Sequence, residues 1–298
     1  MKIVQSFWSK PLFQSDQSLV DSRLNGGWPH RCLNYYSWAL SCLQLRKFYD
    51  SVELVTDELG KQILIDQMKL PYTNVIVALN DIDNYDAGLW ALGKIYTYAL
   101  QKEPFLHVDG DVFISRQFED PIVEAPLVAQ NLEKSYPTFD GNYKVVWHSF
   151  TDRPVYFKTI YEQEFTCCSN AGILGGSDIS FYHDFAREVF TFLGNNMEGI
   201  IQHGITADAG CVNVILEQVI FYWLAKQCDK EVTYLFCEEK GSPRLGFFQA
   251  AETNKHYVHC FGFFKNLRAS YAHMEWKLST DYPEYYKRIT DLINSCEI

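Results

Sequence analysis

Short apolar runs alternate with longer amphipathic stretches through the first half of the chain, and that rhythm predicts an α/β sheet fed by helical crossovers. Lys2-Ile3-Val4-Gln5-Ser6-Phe7-Trp8 reads as a first strand. A polar loop through Asn25-Gly26-Gly27 precedes an amphipathic helix over residues 31–48. Residues 51–56 form a second strand closed by Asp57-Glu58, residues 59–68 a helix, and Val75 to Leu79 a third strand. Trp90 to Leu100 is a helix carrying Lys94, and Pro104 to Val108 a strand that runs into Asp109.

The second half is less regular. Pro121 to Pro137 and residues 141–158 suggest sheet and loops, and Asn170 to Gly176 a strand leaving a Gly-rich turn. Helices are expected over 178–194 and 211–228, strands over 232–237 and 256–261, and a terminal helix over 281–296. With no repeat, low-complexity stretch or long linker, the expectation is one continuous domain over residues 1–298, with halves 1–125 and 126–245 and an extension 246–298.

Composition narrows the function. At 298 residues, 47% hydrophobic and 21% charged, the chain can bury a sizeable core. A net charge of −11 argues against nucleic acid as a partner and against non-specific attraction to anionic lipid. Any polyanionic ligand therefore needs local compensation from a metal ion or a few placed cations. Nine cysteines, including Cys167-Cys168, show no CxxC or Cys/His ligand spacing. With no export signal in the first residues, they read as reduced thiols of a cytoplasmic protein. The longest apolar run, Val212 to Ala225, is interrupted by Glu217-Gln218 and falls short of the ~18–20 residues of a membrane span. No transmembrane segment is expected. The 16% aromatic content serves either sugar-facing surfaces or a core of large side chains.

The sharpest chemical feature is Phe105-Leu106-His107-Val108-Asp109-Gly110-Asp111-Val112-Phe113-Ile114. An apolar strand delivers two carboxylates to its C-terminal end, where ligands of open α/β sheets collect. Such a pair repels unless a cation or proton lies between. Hard oxygen donors suit Mg²⁺ or Mn²⁺, which complete their shells with phosphate oxygens and water. Gly110 lets backbone approach a ligand closely. Far along the chain, Tyr257-Val258-His259-Cys260-Phe261-Gly262-Phe263-Phe264-Lys265 offers an imidazole and a cation.

These segments together resemble a GT-A-fold glycosyltransferase, a Rossmann-like nucleotide-diphospho-sugar transferase with a mixed sheet flanked by helices. Asp109 and Asp111 match its metal-binding DxD. His259-x-x-Gly262-x-x-Lys265 resembles the H-x-x-G-x-x-K element of the retaining family that includes glycogenin and bacterial galactosyltransferases, though Asn266-Leu267 follows where that family has Pro-Trp. The resemblance implies Asp109, Asp111 and His259 as metal ligands and Lys265 on the diphosphate. It further implies a nucleotide-sugar side in 1–125, with Ser6, Asp57, Lys94 and Gly110 at the donor, and an acceptor side in 126–245. Asn170 and Gly172 would border the donor sugar, and 246–298 would bring in the ligand His259. The implied reaction moves a sugar, UDP-linked by default, to a hydroxyl of a carbohydrate or glycolipid, in surface glycan synthesis and with room for peripheral membrane contact.

Glu217 is the candidate acceptor-side base, or else a helix-surface residue; Asp208 competes for that role or caps the helix. Retention and inversion both stay open. Asp81, Asp83 and Asp86 fail as an EF-hand, because position six is Asp86 and position twelve Leu92. Trp147, His148, Trp223 and Trp276 read as core or as sugar platforms. Three rivals differ in chemistry. A haloacid-dehalogenase-like phosphatase would use Asp109 as nucleophile and Asp111 as acid. A GT-A-like domain without activity would only bind carbohydrate or a partner protein. A nucleotidyltransferase would need an N-terminal Gly-rich loop, and residues 1–20 hold no Gly.

Overall fold

A computed structural model describes residues 1–13, 25–137, 141–162, 165–236 and 245–298; position 237, the end of one expected strand, lies outside them. Its strands are β1 (Lys2–Phe7), β2 (Val52–Thr56), β3 (Asn74–Val77), β4 (Phe105–Val108), β5 (Val112–Ile114), β6 (Val128–Pro137), β7 (Phe165–Ser169), β8 (Ile173–Gly176), β9 (Thr233–Phe236) and β10 (Tyr257–His259). The chain is mixed α/β, with a mostly parallel sheet flanked by helices, an arrangement compatible with a Rossmann-like fold.

Two compact units are distinguished within the chain. One comprises Met1, Ile82–His107 and Glu119–Lys240; the other Lys2–Asp81, Val108–Phe118 and Gly241–Ile298. Two changeovers fall inside short elements, the 3₁₀ turn Leu79–Ile82 and β4, so no linker-like composition marks them.

In the unit holding the N-terminal strands, β1, β2 and β3 pair in parallel, with Phe7 opposite Thr56 and Thr56 opposite Val77. The helix Arg31–Phe48 buries Leu33, Tyr36, Leu40 and Leu43 in a core shared with Phe7, Leu54, Phe113 and Val258. Its C-terminus is held by Arg46, whose guanidinium donates to the carbonyls of Pro71, Tyr49 and Asp50. β5 and β10 form an antiparallel pair, Phe113 opposite Val258 and His259 opposite Val112. The expected terminal helix is Pro283–Asn294, and a helix that was not expected, Arg268–Asp281, precedes it. Pro283 lacks an N–H and starts the second helix cleanly, while apolar and polar residues of the first segregate too weakly to announce it.

In the other unit, β4-β8-β6-β7 are neighbours and β9 pairs in parallel with β6. Residues 141–158, expected as sheet and loops, instead form most of two helices, Gly141–His148 and Val155–Tyr161. Trp147, Phe150 and Phe157 are fully buried against one another and Phe192, so packing decides there over local pattern. A second aromatic group joins Tyr98, Phe105, Tyr182, Phe185 and Phe221. Much of the aromatic excess therefore builds core. The helical run Ile179–Gln227 is 49 residues long and holds an 18-residue window apolar enough by composition to cross a membrane, and 61% of that window is buried within the protein. It is a core element broken by an extended Asp208 and by π turns at Ile200–Gly204 and Ile215–Val219. The eight cysteines among the described residues form no disulfide.

Gly175 on β8 is fixed by space. A Cβ there would lie 2.2 Å from the Phe105 carbonyl oxygen and 2.7 Å from Leu106 Cα, both backbone atoms that cannot swing away. Gly175→Ala is expected to destabilise the protein by about 1–3 kcal/mol, read as a shifted denaturant midpoint.

Candidate metal centre

The acidic turn begins where β4 ends at Val108. Its shape is held from below by the chain: Val112 N–H donates to the Asp109 carbonyl at 3.1 Å, Ser37 Oγ to the Gly110 carbonyl at 2.8 Å, and Gln5 Nε2 to the Asp109 carbonyl at 3.3 Å. Gly110 lies directly on the indole of Trp38, where a Cβ would come within 2.5 Å of the ring. Only glycine fits that approach. Trp38 is itself braced edge-on by Phe7, with ring centroids 5.0 Å apart.

After the turn, the β5–β10 ladder sets the partner. His259 N–H donates to the Leu245 carbonyl at 2.8 Å and Cys260 N–H to the Asp111 carbonyl at 3.0 Å, so His259 faces the turn by backbone register. Its Nε2 lies 3.4 Å from Asp111 Oδ1, and Lys265 Nζ lies 2.7 Å from Asp111 Oδ2. Lys265 also donates to the Gly26 carbonyl at 2.7 Å, with its ammonium 5.6 Å from the Trp28 ring centroid. Ligand atoms of Asp109, Asp111 and His259 all lie within 4.8 Å of one another. Asp111 Oδ1 is buried and accepts no hydrogen bond, with the His259 imidazole 3.4 Å away. Burial by itself would raise the Asp111 carboxyl, but the adjacent Lys265 ammonium and His259 imidazole outweigh it and hold the group well below the usual carboxylate range. Two carboxylates and an imidazole, one oxygen without a hydrogen bond, form a set that could hold a metal ion.

A family model matches residues 1–292. The chain belongs to DUF6734, a family of unknown function. The DUF6734 match spans Asp109, Asp111, His259 and Lys265 together. No curated protein matches the chain.

Other candidates meet elsewhere in this DUF6734 chain. Lys94 Nζ lies 2.8 Å from Glu217 Oε1 and 3.1 Å from Oε2, and reaches the Ala171 carbonyl at 3.3 Å. Tyr98 OH donates to Glu217 Oε1 at 2.8 Å. Glu217, expected as a base, is thus enclosed by donors, and Lys94, expected on a diphosphate, is its counter-ion. Asn170 accepts from Gly172 N–H at 3.1 Å and donates to Glu133 at 2.9 Å, shaping the turn whose middle carbonyl Lys94 holds. Asp208 caps its helix by accepting from Cys211 N–H at 2.8 Å.

Asp57, expected at the nucleoside, is used by the fold. One oxygen accepts from Ser9 N–H and Ser9 Oγ, the other from Gly60 N–H, each at 2.7 Å. Ser6, near the end of β1, stays partly exposed. Trp223 donates to Thr166 at 2.8 Å, Trp147 is wholly buried, His148 bonds the Lys144 carbonyl, and Trp276 is exposed. Trp38, Trp28 and Ser37 escaped sequence reasoning; the Gly26-Gly27 pair was visible, but only as a loop.

Lys94 and Glu217 have side chains only 16% and 6% exposed, so removing the cation strands a buried carboxylate. Lys94→Met should cost about 3–5 kcal/mol in urea denaturation, and adding Glu217→Leu should recover much of it. His107 gives a separate acid signature. Burial, then the nearby Lys94, keeps its folded pKa well below 6.5. Below about pH 6.5 the unfolded chain therefore binds a proton that the folded one does not, and stability falls with pH by up to ~1.4 kcal/mol per unit. His273, lowered by burial and then Lys277, adds in the same direction. Chemical denaturation between pH 5 and 8 should show a shallower slope for His107→Gln.

Proposed function

We propose that the chain is a metal-dependent GT-A-type glycosyltransferase, moving a sugar from a nucleotide sugar, UDP-linked by default, to a hydroxyl of a carbohydrate or glycolipid in the cytoplasm or at a membrane face. The observation that carries this reading is the convergence of Asp109, Asp111 and His259 ligand atoms within 4.8 Å, with the Lys265 ammonium on the same carboxylate.

Asp109, Asp111 and His259 would hold Mn²⁺ or Mg²⁺, which when bound supplies Lewis-acid stabilisation to a departing diphosphate. Lys265 adds a fixed positive charge where negative charge grows as the glycosidic bond to the donor breaks. Trp38 beneath Gly110 keeps the turn rigid, so the carboxylates stay placed without reorganisation. Glu217 holds Lys94 and the turn after Asn170 in place, and its two oxygens already accept charged and phenolic donors. The phosphatase alternative fares worse, since its acid would be a protonated Asp111 whose oxygen here accepts from Lys265 at 2.7 Å.

Thermal unfolding with UDP, with MnCl₂, and with both tests the reading. Both together at about 100 times the dissociation constant should add roughly 2.7 kcal/mol, a rise of about 4–5 °C. Asp109→Asn should abolish that rise while its circular dichroism stays native. No nucleotide diphosphate giving a metal-dependent rise would overturn the assignment.

A further inference from the structure

Lys265 stands on the carboxylate that a cation would need. Its Nζ is 2.7 Å from Asp111 Oδ2 and 2.7 Å from the Gly26 carbonyl oxygen. The surrounding loop is shaped to this side chain. Gly26 and Gly27 adopt φ of 63° and 83°, and a Cβ on Gly27 would come 3.2 Å from Lys265 Cδ. Trp28, only 2% exposed, presents its ring to the ammonium. Lys265 therefore has a built resting position, with one bond to backbone and one to Asp111.

Consider the charges around Asp111. Asp109, Asp111 and Lys265 sum to one negative charge when His259 is neutral. A divalent cation arriving alone turns that sum positive, next to an ammonium sharing the same carboxylate. Asp111 and Lys265 are only 14% and 15% exposed, so water screens the repulsion poorly. An oxyanion arriving alone meets two carboxylates and a cation already engaged. Arriving together, the cation neutralises the carboxylates and the oxyanion offers Lys265 a new partner.

Resting on the reading of this site as a metal–diphosphate centre, we propose that Lys265 is a coupling residue. Transfer of its ammonium from Asp111 to phosphate oxygens makes metal and diphosphate binding mutually strengthening. The Gly26 carbonyl keeps the ammonium within reach during that exchange. Because such coupling is reciprocal, each ligand should tighten the other by the same factor, on the order of tenfold. The device would keep the site from filling with metal ions that carry no substrate.

Calorimetric titration of Mn²⁺ into the full chain, without and with saturating UDP and corrected for Mn–UDP complex in solution, tests this. Native protein should bind Mn²⁺ weakly alone and about tenfold more tightly with UDP. Lys265→Met should bind Mn²⁺ alone more tightly than native protein and respond little to UDP, whereas Lys265→Arg keeps the coupling. A residue that merely contacts phosphate would leave the Mn²⁺-alone affinity unmoved, and that result in Lys265→Met overturns the proposal. If Lys265→Met does not fold, Lys265→Gln, which retains a donor for Gly26, is read in the same way. Mn²⁺ binding that is equal with and without UDP in native protein sinks the coupling but leaves the metal site standing. No Mn²⁺ binding under any condition removes both.

Discussion

Two carboxylates separated by a single residue, largely withdrawn from water, cannot stand without positive charge close by. That constraint organises the unit around Asp109 and Asp111. Lys265 supplies the charge from the far end of the chain, and the short β5–β10 ladder brings His259 to the same carboxylate. The turn's backbone is fixed by Ser37, Gln5 and the indole of Trp38, all donated by the first strand and first long helix. The acidic turn is therefore the point to which sequence segments from the start, middle and end of this unit are tied.

Buried charge elsewhere obeys the same rule with a different outcome. Lys94 and Glu217 neutralise each other, and Tyr98 takes a further place on the carboxylate, leaving a network that is nearly complete within itself. Asp57 is likewise consumed by backbone and hydroxyl donors. Asp111 and Glu53 each keep one buried oxygen without a hydrogen bond, the first 3.4 Å from His259 Nε2 and the second 3.3 Å from Lys2 Nζ. Among the described residues these interior anions are thus largely answered inside the fold, and the open Asp111 oxygen stands where a ligand is proposed.

The first-half strands were readable because each is a single apolar run bounded by turn residues, and β1 to β4 fall within a residue or two of their expected limits. The clustering of Asp109, Asp111 and His259 was readable because Asp109 and Asp111 sit at a strand end and His259 and Lys265 share a spaced element. What one-dimensional pattern missed was decided by tertiary contact. The Trp147 and Phe157 helices owe their form to mutual burial. Lys94 and Glu217 bond across 123 residues, a pairing no local spacing encodes.

The π turn at Ile215–Val219 lies between two anchored side chains. Upstream, Asn213 bonds the Gly88 carbonyl and Ala91 N–H; downstream, the Trp223 indole donates to Thr166. A π turn carries an extra residue relative to an α turn, so it sets the rotational phase between those anchors. Deleting one residue there would restore a regular helix and turn one anchor away from its partner. The spacing between Asn213 and Trp223 is in this sense a mechanical dimension. Evolution can exchange the side chains along it more freely than it can change their number.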